Sequence, residues 1–173
     1  MANFGAGAGI QRGLATKVLV FSDSHGRTLG MVRAIRQQQP DAVFHLGDCE
    51  RDTQRLEKEF PDLPLYRVCG NCDREPVNPE VLQCTLDGVK FFCTHGDRYG
   101  VKYTLDALLN AAYFAGADIV LFGHTHRALS ETMQGLYVVT PGTAGVGAVC
   151  TYACIETRDG AIRSAGIHAI PEV

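Results

Sequence analysis

Short apolar runs, each closed by a polar or glycine-bearing tip, recur along this chain at a spacing that fits strands alternating with helices. Lys17–Phe21 is apolar with β-branched content and ends at Ser22-Asp23-Ser24, which predicts a buried strand followed by a loop. Leu29, Val32 and Ile35 recur at helical spacing until Pro40 stops the helix. Asp41–Leu46 reads as a second strand ending at Gly47-Asp48, residues 51–60 as a helix, and Pro64–Cys69 as a third strand ending at Gly70-Asn71. This β-α-β-α-β rhythm calls for parallel pairing.

The second half changes character. Val81–Leu86 and Val89–Thr94 flank Asp87-Gly88, the signature of a hairpin with a type I′ turn. Thr104 is the expected N-cap of a helix whose buried face carries Leu105, Leu108, Leu109, Ala112 and Tyr113, and Gly116 is its expected stop. Asp118–Phe122 is another strand, and from Ser130 onward strand-like pieces alternate with turns at Gln134-Gly135, Pro141-Gly142 and Asp159-Gly160. The pattern predicts a mixed α/β fold of two packed sheets with helices outside. Residues 1–16 are rich in Gly and Ala without periodicity and read as a flexible leader, so residues 17–173 form a single expected domain.

Composition narrows the class. At 173 residues the chain suits one core, and 46% hydrophobic against 20% charged residues exclude a disordered tail and a membrane bundle. A net charge of −3 provides no global field for a nucleic-acid polymer or an anionic bilayer, so an anionic substrate must be handled locally. Without an apolar run of spanning length or a basic, apolar opening segment, the expected setting is cytoplasmic. Seven cysteines in no framework spacing point to a reducing compartment, and the lone C-x-x-C of Cys69 and Cys72 lacks the second pair a zinc ribbon needs.

The residues just after each strand carry the chemistry. They are Asp23 and His25, then Asp48, then Asn71, then His95, then His124 and His126, each tip carrying a glycine. Open α/β sheets bind ligands at the carboxyl ends of strands. Four of the six histidines fall in these tips, which turn formation does not require. His45, inside a strand, and His168, near the C-terminus, read as structural. Two carboxylates, one amide and four imidazoles form an O/N donor set suited to Mn²⁺, Fe²⁺, Co²⁺, Ni²⁺ or Zn²⁺. Seven ligands exceed one centre and suit two ions about 3.5–4 Å apart sharing a carboxylate.

The series D-x-H, G-D, G-N-x-D, H-G and G-H-T-H resembles the calcineurin-like metallophosphoesterase superfamily, and the short length and G-N-C-D variant resemble its small YfcE-type phosphodiesterase subgroup. The likeness runs from Lys17 to about Ile170 and implies a four-layer α/β/β/α sandwich of two mixed sheets flanked by helices. It assigns Asp23, His25 and His126 to one metal and Asn71, His95 and His124 to the other, with Asp48 as the bridge. Asp48, Asn71, His95 and His124 form the implied catalytic group, and manganese heads the implied metals. The implied activity is hydrolysis of a small phosphodiester or nucleotide by in-line attack of a hydroxide shared between the ions. A phosphomonoesterase or nucleotidase is the alternative, and so is a scaffold like the metallophosphoesterase-fold subunit of retromer; a homo-oligomer stays open.

Arg27 and Arg74 are candidate phosphate contacts because guanidinium matches phosphate oxygens bidentately. Asp73 is expected to orient a ligand or loop. The chain departs from the family at Cys72, where many relatives place a proton-donating histidine, and at Asp97, where relatives often carry a second histidine after H-G. The first departure leaves the general acid open. The second puts a carboxylate beside the metals.

Overall fold

The computed structural model describes residues 15–171, so residues 1–14 of the expected leader lie outside them. The first strand begins one residue before the expected one: β1 is Thr16–Phe21, and Thr16 pairs with Thr157. Next come α1 (Leu29–Gln38), β2 (Ala42–His45), a 3₁₀ turn at Glu50–Asp52 running into α2 (Thr53–Glu59), and β3 (Leu65–Arg67). The second half contributes β4 (Val81–Leu86), β5 (Val89–Thr94), a 3₁₀ turn at Asp97–Tyr99, α3 (Asp106–Phe114) and β6 (Ile119–Leu121). It closes with β7 (Ala128–Met133), β8 (Leu136–Pro141), β9 (Thr151–Arg158) and β10 (Ala161–Ala169).

Two mixed sheets of five strands result, in the orders β10-β9-β1-β2-β3 and β4-β5-β6-β8-β7. Each has three parallel strands, β1-β2-β3 in one and β5-β6-β8 in the other, with antiparallel strands beside them. Period-two alternation sorts the apolar residues into layers. Val18, Val20 and Phe44 face Phe91, Cys93, Ile119 and Leu121 of the other sheet, and Phe44 stacks on Phe91 with ring centroids 5.3 Å apart. Leu19, Phe21 and Val43 point outward onto Met31, Ile35 and Leu56 of α1 and α2. Phe92, Val120 and Val138 do the same onto Leu108, Leu109 and Ala112 of α3. The fold is thus a four-layer α/β/β/α sandwich. No helix among the described residues is long and apolar enough to cross a membrane.

Asp87 and Gly88, with φ of 47° and 75°, form the expected I′ turn. Two local expectations need correction. Thr104 is not the N-cap of α3: Leu105 holds that position, and the Thr104 hydroxyl accepts the Asp106 N–H at 3.2 Å. Tyr113 is 68% exposed rather than buried. Leu108, Leu109 and Ala112 fill the contact with the sheet, which leaves Tyr113 at the rim, edge-on to Phe114.

His45 is fully buried on β2. Ser24 Oγ spends its proton on Asp52 Oδ2 at 2.7 Å, so His45 Nε2 donates to Ser24 Oγ at 3.0 Å and Nδ1 accepts the Gly47 N–H. Burial lowers its pKa to about 4, against the opposing pull of Asp52, Asp73 and Asp23. The unfolded chain binds this proton near pH 6.5 and the folded one only near 4, so stability falls on acidification through that window and levels off below it. The expected loss is about 3 kcal/mol. Urea midpoints of the parent and His45→Gln, followed from pH 7 to 4, should converge on acidification; parallel curves would show that His45 titrates normally.

Candidate metal centre

Parallel pairing aligns the carboxyl ends of β1, β2, β3, β5, β6 and β8 along one edge of the sandwich, and the ligand-type residues follow those ends. The tips hold strained backbone. Asp23, His25, Asp48, Cys49, His124 and His126 all have φ between 43° and 74°. For non-glycine residues this left-handed conformation is unfavourable and marks sites where geometry serves function. Gly123 permits a close approach: a Cβ there would collide with the Ser22 hydroxyl and come within 3.0 Å of Asp23 Oδ2.

Two groups of donors have ligand atoms within 4.8 Å of one another, Asp23 with His25 and His126, and Asp23 with Asp48 and His95. His126 Nε2 lies 3.0 Å and His25 Nε2 4.0 Å from Asp23 Oδ1. Asp48 stands between the histidines, Oδ2 at 3.8 Å from His25 Nε2 and Oδ1 at 3.4 Å from His95 Nε2. Asp23 is common to both groups and Asp48 reaches a histidine of each. His124 joins through its Nδ1, 3.2 Å from His95 Nε2, and its N–H donates to Asp23 Oδ2.

The donor set fits cations. His95 Nδ1 lies 2.7 Å from the Leu46 carbonyl, which holds the proton on that nitrogen and turns Nε2 toward the carboxylates. A lone pair facing Asp23 and Asp48 needs positive charge between them. Burial pulls the His95 pKa down, but Asp48 and Asp23 outweigh it and raise the net value. Burial likewise pushes the Asp48 carboxyl up, yet His95 and the Cys72 N–H prevail and hold it well below the carboxylate range. His25 Nε2 is buried with no hydrogen-bond partner among the described residues, with carboxylate oxygens of Asp23 and Asp48 at 4.0 and 3.8 Å. Burial, His95 and Lys102 together lower His124, which keeps its imidazole neutral and able to ligate.

The remaining expected residues divide. Asn71 sits on the loop after β3, beside Gly70, whose Cβ position is blocked by Asp48 and His95, but its amide donates to Cys72 Sγ at 3.5 Å rather than to another ligand. Asp73 is a loop clamp. Its carboxylate accepts the N–H groups of Asp48, Cys49, Glu50 and Gly70 at 2.8–3.0 Å, tying the Asp48 tip to the Asn71 tip. Arg74 lines a cavity of about 510 Å³ beside Cys49 and Cys72, together with Arg51 and Arg67. Arg27 is exposed on the loop after β1, and Asp97 is exposed on the 3₁₀ turn after Gly96.

Sequence reasoning missed three supports. Asp52 accepts Ser24 Oγ and the Gly26 N–H, both at 2.7 Å, bracketing His25. Glu50 is buried and accepts the Val77 and Asn78 N–H groups, which shapes the loop beside Arg74. Thr143 Oγ1 donates to the Asp23 carbonyl at 3.0 Å from the turn after β8. In sequence the two acids look like ordinary solvated carboxylates at a helix start, and only the turn containing Thr143 offered a signal.

Fold and centre together define a metal-dependent phosphoesterase architecture. The Calcineurin-like phosphoesterase superfamily domain matches residues 16–160, and the chain belongs to that family. It is 36% identical over 129 residues to the probable metallophosphoesterase YsnB of Bacillus subtilis, covering 73% of each chain. It is also 27% identical over 145 residues to the phosphodiesterase MJ0936 of Methanocaldococcus jannaschii, covering 73% of this chain and 82% of that one. Among solved structures it is similar to a conserved Streptococcus pneumoniae protein described as a predicted phosphoesterase, with a TM-score of 0.73, 26% identity, and coverage of 90% of this chain and 98% of that one.

Proposed function

We propose that the protein is a dinuclear metal-dependent phosphodiesterase acting on a small phosphodiester or nucleotide. The observation that carries this reading is the pair of O/N donor groups sharing Asp23, with His25 Nε2 buried and unpartnered among them. Asp23, His25 and His126 would hold one ion and Asn71, His95 and His124 the other, with Asp48 between them. Two divalent ions, manganese first among the candidates, would supply a water-derived nucleophile at neutral pH and neutralise the phosphoryl oxygens. The Leu46 carbonyl fixes the His95 ring, and the Asp73 clamp fixes the distance between the Asp48 and Asn71 tips. Arg74, on the cavity wall, is the phosphate contact this reading favours over the exposed Arg27.

Chelation tests it. Protein stripped of metal, with removal checked by elemental analysis, should lose hydrolysis of bis-p-nitrophenyl phosphate and regain it with Mn²⁺. Its melting temperature should rise with added metal, because a ligand at about 100 times its Kd stabilises by about 2.7 kcal/mol. Full turnover in metal-free protein would overturn the mechanism, and metal binding without turnover of diester or monoester would favour a scaffold role.

A further inference from the structure

On the outer face of the β4–β8 sheet, the core covered by α3 opens at the carboxyl ends of the strands into a cavity of about 600 Å³. Val101, Leu105, Phe122 and Leu129 form apolar walls, and the exposed Lys102 and Arg127 add two cations. Thr125, between His124 and His126, also lines it, so the cavity borders the metal-ligand loop. It shares no lining residue with the polar cavity at Cys49, Cys72 and Arg74.

Thr140 gives the cavity its chemistry. Alternation along β8 puts its side chain on the face of Val138, toward α3. It is only 2% exposed and lines the cavity, yet its Oγ1 has no hydrogen-bond partner among the described residues. A buried hydroxyl without a partner is unfavourable, and it is worth keeping where a ligand completes the bond.

We propose that this cavity receives the nucleoside of a nucleotide phosphodiester whose phosphate is held at the metal centre; the inference rests on the phosphodiesterase reading. Apolar walls cover the faces of a flat ring, and a single buried hydroxyl reads a donor or acceptor on its edge. Lys102 and Arg127 suit the negative charge of the ester. An alkyl substituent would leave Thr140 unpaired, and a bare sugar would leave the apolar walls uncovered.

Two chromogenic diesters with the same leaving group and charge test this, thymidine 5′-(p-nitrophenyl phosphate) and methyl p-nitrophenyl phosphate. The nucleoside ester should win in kcat/KM by about 10–10²-fold, the range apolar-pocket discrimination reaches. Thr140→Val should narrow that ratio several-fold while raising the melting temperature by about 2–4 °C, because it removes an unpaired buried hydroxyl. A purely structural threonine would not move the two readouts in opposite senses. Leu129→Trp, which fills the cavity, should bring the ratio toward one; if that variant does not fold, Thr140→Val decides. Equal kcat/KM for the two esters in the parent protein overturns the proposal. If neither ester is turned over, the phosphodiesterase reading falls, and the cavity is judged by thymidine 5′-monophosphate binding to Zn²⁺-loaded protein. Amide shifts at Leu105, Leu129 and Thr140 then uphold it, and their absence overturns it.

Discussion

Asp48→Asn is expected to lower diesterase turnover by about 10²–10³-fold or more, the scale on which one preorganised electrostatic group contributes. The side chain keeps its shape, and its amide oxygen can still accept the Cys72 N–H that now bonds Oδ1 at 2.9 Å. What disappears is the charge between His25 and His95, which the parent places 3.8 Å and 3.4 Å from the two Asp48 oxygens. In metal-free protein the substitution also removes the attraction to His95 that holds the Asp48 carboxyl low, so the melting temperature should fall while the fold survives, because Asp48 sits at a strand tip rather than inside a sheet core. Arg27→Ala serves as the contrast, because an exposed arginine on the neighbouring loop should cost less than about tenfold. Turnover and bound metal should be measured on the same samples. Near-normal turnover in Asp48→Asn would remove Asp48 from the bridging position.

The sequence made the layered fold legible for a simple reason. Each central strand is a short apolar run, and each ends in a residue type that turns alone do not demand. The structure gathers Asp23, His25, Asp48, His95, His124 and His126 within a few ångströms, because parallel pairing forces their strand ends onto one edge. What stayed hidden depends on contacts between distant segments. Asp52 lies 28 residues from Ser24, and Thr143 lies 120 residues from the Asp23 carbonyl it bonds. Tyr113 was misread for a related reason, since helical periodicity marks a stripe but not the width of sheet available to cover it. The four N–H groups that Asp73 gathers come from two loops that no local pattern connects. Lys102 and Arg127 line the cavity beside Thr125, and no local pattern marks either of them.

Cys72 leads to the second large effect, a steep dependence of rate on the leaving group. Family relatives often place a histidine at this position to protonate the departing oxygen. Here the Cys72 N–H is held by Asp48 Oδ1, and desolvation at the loop together with the Asp48 carboxylate pushes the thiol of this exposed residue up to about 11. Such a thiol holds its proton at neutral pH and gives it up poorly to a leaving oxygen in the transition state. Asp97, the other departure, is exposed on the turn after Gly96 and shows no hydrogen bond from its carboxylate to the ligand cluster among the described residues. General acid catalysis typically contributes about 10²–10⁴-fold, and more as the leaving group becomes more basic. Aryl diesters should therefore be cleaved faster than alkyl diesters by at least that range, with a steep plot of log kcat against leaving-group pKa. Cys72→His should flatten the plot by accelerating the alkyl diesters selectively, because an imidazole there can donate a proton near neutral pH. Cys72→Ser should leave the slope nearly unchanged, since a hydroxyl is no better an acid than the thiol. A shallow slope in the parent protein would mean that another group already supplies the proton. Asp97→Asn would then identify it: a slope that steepens in that variant assigns the proton to Asp97, and an unchanged slope assigns it to water at the centre.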